Sequence, residues 1–107
     1  MDTGARKLLL AAGLAAACAL PGLAAAATHT VVIEGMKYLP ATLTVKKGDK
    51  VVWQNKDVVP HTATAKGKFD SGDIGSGKSW SHTMTKAGTY DYVCTYHPGM
   101  KATVVVK

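Results

Sequence analysis

From His29 onward the chain is written in short runs of β-branched and alternating residues, with no apolar spacing of three and four. That pattern excludes a helical core. The runs are HTVVIE, ATLTV, KVVWQN, HTATA, WSHTMT, TYDYVC and KATVVVK, set apart by turn-forming residues. KKGD between the second and third predicts a hairpin around Gly48. FDSGDIGSGKS, with Gly72, Gly75 and Gly77, predicts a surface loop. Short strands at this spacing imply an all-β antiparallel sandwich or barrel with little or no helix.

The N-terminal segment reads differently. Arg6 and Lys7 precede an apolar run from Leu8 to Leu20, and PGLAAAA then supplies small residues at cleavage spacing. This predicts an export signal over residues 1–26, with cleavage after Ala27 as the alternative, and a single domain over 27–107. The run is shorter than the ~20 apolar residues that a membrane anchor requires, so no stable insertion of the mature chain is expected. A lipidated Cys18 fits less well, because Leu14 stands one place too early for that pattern. The expected compartment is the periplasm.

Export leaves Cys94 without a second cysteine. A small exported domain is commonly stapled by disulfides, and this one has none to form within the chain. Its lone thiol calls for a reactive role, an intermolecular partner or a metal. From Thr28 on, eleven lysines face six acidic residues, and arginine is missing. Lysines scattered this way protect strand edges and favour acidic docking surfaces. No basic run is dense enough to grip a phosphate backbone, so nucleic acid is not an expected partner.

Strand parity sets Tyr90, Tyr92 and Cys94 on one face of TYDYVC and Thr89, Asp91 and Val93 on the other. Since Asp91 avoids burial, Cys94 is expected inside. Alone it would read as a small hydrophobe. His97 and Met100 change that reading, because steps of three let one tight turn aim a thiolate, an imidazole and a thioether at a common centre. This soft donor mixture selects copper. A fourth ligand must come from His29, His61 or His82. His61 is favoured, since it follows Pro60 and opens HTATA, whereas His82 alternates within a strand.

From Val31 to the C-terminus the chain resembles the small blue copper proteins, the cupredoxins. The residues that carry the likeness are KGDKVVWQN, PHTATA, FDSG, GKSWSHTMTKAGTYDYVCTYHPGM and GMKATVVV. The Cys-x2-His-x2-Met loop is similar to that of amicyanins, and plastocyanins have a longer step from histidine to methionine. The resemblance implies a Greek-key β-sandwich with one type 1 copper. His61, Cys94 and His97 would be the equatorial ligands and Met100 the weak axial one. It also implies that Asn55, at the end of KVVWQN, ties the two ligand loops together near the cysteine.

The expected function is periplasmic one-electron transfer between Cu(I) and Cu(II), with a copper carrier or buffer as the alternative. An enzyme is not expected, because copper oxidases need further histidine-rich centres. The partners implied are redox proteins, of cytochrome c or dehydrogenase type, and a monomer is expected. Tyr96 and Gly99 stand where the amicyanin loop has proline and phenylalanine, so the docking partner does not carry over. Cleavage after Ala26 would also set His29 third from a free amine, a geometry for square-planar Cu(II) or Ni(II).

Overall fold

The computed structural model describes residues 25–107, so nearly all of the expected export signal lies outside the described residues. Nine strands follow in order: β1 (Thr28–Ile33), β2 (Tyr38–Leu39), β3 (Thr42–Val45), β4 (Lys50–Asn55) and β5 (Thr64–Ala65). Next come β6 (Phe69–Asp70), β7 (Ser79–Thr83), β8 (Gly88–Cys94) and β9 (His97–Val106). Among the described residues there is no helix. One sheet runs β2-β1-β4-β7 and the other β3-β9-β8-β5-β6. The all-β sandwich expected from the strand pattern is therefore present.

Two features depart from the expectation. The pairs β1–β4 and β3–β9 are parallel, so both sheets are mixed rather than purely antiparallel. The hairpin expected around Gly48 does not form, because β3 and β4 belong to different sheets. The turn itself is real: Asp49 N–H donates to the Lys46 carbonyl at 3.0 Å, and Gly48 takes a φ of 92° that favours glycine. It carries the chain across the sandwich instead of back along one sheet. Asp49 fixes this crossing. Its carboxylate accepts the Lys46 and Ala27 amides, both at 3.0 Å, and lies 2.9 Å from His29 Nε2.

Alternation builds the core. Val51, Trp53 and Asn55 of β4 are buried, as are Val31 and Ile33 of β1 and Tyr92 and Cys94 of β8. Met100, Ala102, Val104 and Val106 line the inner face of β9. Each fully buried valine or isoleucine contributes about 1.5–3 kcal/mol, which is how period-two sequences fix their sheets. Trp53 and Tyr92 fill the centre, with ring centroids 5.5 Å apart and their planes nearly perpendicular. Because β1 and β4 run parallel, Thr28 and Lys50 mark one end of the sandwich and Ile33 and Asn55 the other.

Candidate metal centre

At the Asn55 end, the loop after β4 and the turn between β8 and β9 bring four expected residues to one place. The possible ligand atoms of His61, Cys94 and His97 all lie within 4.8 Å of one another. His61 and Cys94 are fully buried, and His97 is half-buried. The strand ladder breaks after Val93, so that Cys94 pairs with His97 while Val93 pairs with Lys101. This irregularity turns the short Cys-x2-His step inward. Met100, three residues on, returns to the buried face of β9.

The two imidazoles present the same atom to the sulfur. His61 Nδ1 and His97 Nδ1 each lie 3.7 Å from Cys94 Sγ, and the rings are 5.5 Å apart at their centroids. With bonds of about 2.0 Å to nitrogen and about 2.3 Å to sulfur, that separation opens an angle of roughly 120° at a shared ion. Two nitrogens and a thiolate in a near-trigonal plane, with a thioether beside them, match a mononuclear copper. The residues present fit the group.

His61 is oriented from outside. Its Nε2 lies 2.9 Å from Asp57 Oδ2, which places the ring proton there and leaves the Nδ1 lone pair facing Cys94. Asp57 also accepts the amides of Gly35 at 2.8 Å and Met36 at 2.9 Å. The Met36 amide, with Gly35 and His61, holds this carboxyl below the usual range against the opposing effect of burial. The backbone of His61 is bridged to Ile74, N to O at 3.1 Å and O to N at 2.7 Å.

Thr62 joins the two ligand loops. Its amide donates to Cys94 Sγ at 3.4 Å, and its hydroxyl oxygen accepts the Thr95 amide at 3.0 Å. Its carbonyl accepts the hydroxyl of Tyr38. Burial, then the nearby Cys94 charge, pushes the Tyr38 phenol well above its ordinary value.

Asn55 acts elsewhere than expected. Its side chain donates to the carbonyls of Val59 at 2.9 Å and Ile74 at 2.8 Å and accepts the Asp57 amide at 2.9 Å. It shapes the loop that carries His61, while the tie to the cysteine loop belongs to Thr62. Sequence reasoning missed both Asp57 and Thr62. Only the carboxylate four residues before His61 offered a signal.

The remaining histidines lie apart. His82 sits in β7 opposite Val51 and stacks on Trp80. His29 rests on Asp49 at the opposite end, inside the paired strand β1. Tyr96, half exposed beside His97, donates its hydroxyl to Asp73 in the glycine-rich loop.

The comparisons with known proteins agree with this geometry. Residues 25–107 match the model of copper-binding proteins of the plastocyanin/azurin family. The chain belongs to that family. Amicyanin from Paracoccus denitrificans is 40% identical over 85 residues, covering 70% of this chain and 62% of the relative. Amicyanin-alpha from Methylorubrum extorquens is 34% identical over 122 residues, covering 95% and 99%. Against the two Paracoccus amicyanins, the chain spans only 61% and 62% of the relative's length. A solved oxidised amicyanin variant superposes with a TM-score of 0.71 at 36% identity, over 74% of this chain and 81% of that one. A Cu(I) form of another amicyanin variant gives 0.71 at 37%, over 80% and 88%. Membership in this copper-binding family selects copper among the metals that two imidazoles and a thiolate accept.

Proposed function

We propose that the protein is a periplasmic one-electron carrier whose type 1 copper is held by His61, Cys94, His97 and Met100. The convergence of two Nδ1 atoms on one buried thiol, each at 3.7 Å, carries this reading. When bound, copper supplies the Cu(I)/Cu(II) couple. The chain supplies a frame that changes little between the two states. Asp57 fixes the His61 ring, Thr62 holds the sulfur, and the β8–β9 turn fixes His97. The protein is a carrier and not an enzyme, because every donor at the centre is committed to the metal.

His97 is the half-buried ligand, and its surroundings suit brief docking. Val58, Val59 and Pro60 lead into His61, and Pro98 and Gly99 follow His97; all five are exposed, Val58 to 89%. An apolar rim of this kind is the signature of an interaction surface. The partners are redox proteins of cytochrome c or dehydrogenase type, and the scattered lysines favour acidic surfaces on them. Asn55 supports the His61 loop within this assembly.

The deciding experiment is a visible spectrum of copper-loaded protein, followed by reduction and reoxidation. Intense blue absorption that bleaches and returns with full copper retention is the expected result. A colourless protein that surrenders its copper to a chelating acceptor would establish the carrier reading instead.

A further inference from the structure

Six of the seven aromatic residues form one connected group, and Tyr96 alone stands outside it. A line runs through this group from the thiol to the surface. Thr62 donates its amide to Cys94 Sγ and accepts the Tyr38 hydroxyl at its carbonyl. The Tyr38 ring meets Tyr92 edge-on at 4.7 Å, Tyr92 meets Trp53 at 5.5 Å, and Trp53 meets Trp80 at 5.4 Å. Tyr92 also lies only two residues from Cys94, on the same buried face of β8. Tyr38, Trp53 and Tyr92 are buried, whereas Trp80 is half-buried on β7, an edge strand. Water and small oxidants therefore reach this line at Trp80.

We propose that this aromatic line is a discharge route, by which the reduced copper centre refills an electron torn from Trp80 by a strong oxidant. The inference rests on the copper reading above. The step balances as one electron. An external radical oxidant takes an electron from the Trp80 indole; Cu(I) gives one back through Trp53 and Tyr92, and Cu(II) remains.

The direction follows from chemistry. Indole yields an electron only to oxidants far stronger than those that turn over a type 1 copper, so ordinary traffic leaves this route idle. A hole on Trp80, by contrast, runs downhill to Cu(I). Rings in contact divide one long step into short ones, and transfer weakens steeply with distance. Tyr38 serves as a bridge and not a stop, since its hydroxyl donates to a peptide carbonyl that cannot take its proton. Packing accounts for a large ring at position 53 but not for its N–H. That N–H is buried without a hydrogen-bond partner, an omission that a phenyl or aliphatic side chain would avoid.

The test compares Cu(I)-loaded with Zn(II)-loaded protein, since zinc fills the site but has no electron to give. Each is exposed to photogenerated sulfate radical. Transient absorption follows the indole radical, and peptide mass spectrometry follows oxidised Trp80. With zinc, the radical should persist and oxidised Trp80 should accumulate. With Cu(I), the radical should decay as the blue Cu(II) band grows, one for one, and the Trp80 damage should be lost. Trp53→Phe in the Cu(I) form should restore both the long lifetime and the damage. Trp80→Phe, a milder change at the sheet edge, should slow oxidation of the copper by the radical. Equal radical lifetimes with zinc and Cu(I), or copper oxidation indifferent to both variants, would overturn the route. A copper-loaded protein that never turns blue on oxidation overturns the site assignment itself, which separates the two failures.

Discussion

His61 Nε2 lies 2.9 Å from Asp57 Oδ2, so the buried ligand is gripped on its far edge by a carboxylate four residues earlier. The grip selects the tautomer that leaves Nδ1 free for the metal. Asp57→Asn keeps the shape and removes the charge. Copper affinity should fall about 10–100-fold with the blue band retained, as is usual when a ligand histidine loses its outer partner. Competition titration against a chelator checks this. Unchanged affinity would show that the carboxylate does nothing for the site.

Thr62→Val tests the tie between the loops. The substitution preserves volume and the amide that reaches Cys94, but it leaves the Thr95 amide without its acceptor. Destabilisation of about 1–3 kcal/mol is expected, the usual cost of stranding a partly buried donor. Urea unfolding of the copper form supplies the measurement. The blue colour should survive, because no ligand is touched.

Much of this was legible in the sequence, and what was not follows a pattern. Cys94, His97 and Met100 announced themselves because soft donors at steps of three have few other uses in a strand-end turn. Period-two alternation gave the buried face of β8, with Tyr92 and Cys94 inside. The Gly48 turn was also legible, but its destination was not. Local residues decide that a chain bends, whereas which sheet the next strand joins depends on partners such as β7 and β9, far along the chain. Thr62 stayed hidden for a related reason: an ordinary threonine acquires its role only when residue 95 is folded against it.

Asp49 gives a pH dependence with a definite sign. The Lys46 amide, then His29 and the Ala27 amide, depress its carboxyl to about 2. A depressed carboxyl contributes stability above the ordinary carboxylate range and loses it as pH falls through the folded value. The stability gap between the parent protein and Asp49→Asn should therefore be level near neutrality. It should narrow from about pH 5 downward and close near pH 2. Urea midpoints of the copper-free proteins across that range test it. A gap that widens toward acid would refute the assignment.

Gly99→Glu probes the docking rim. A side chain at Gly99 meets no neighbour within 4 Å, and its backbone does not need glycine, so the fold and the copper spectrum should be untouched. Electron transfer to the physiological partner should slow, because a charge enters the apolar rim beside His97. Stopped-flow rates with the partner, set against self-exchange measured by NMR, decide the matter. Identical rates would move the docking surface elsewhere.

The order of the strands along the chain bears on when copper can be taken up. Three of the four donors arrive with the β8–β9 turn, and β9 is also the strand that gives β3 its parallel partner. A chain folded only as far as Thr83 has His61 but not Cys94, His97 or Met100, and one of its two sheets still lacks its central pair. Such a fragment has one of the four donors that meet at the centre. The four-donor site is therefore complete only when the sandwich closes, and the thiol is enclosed by the same strand that completes it.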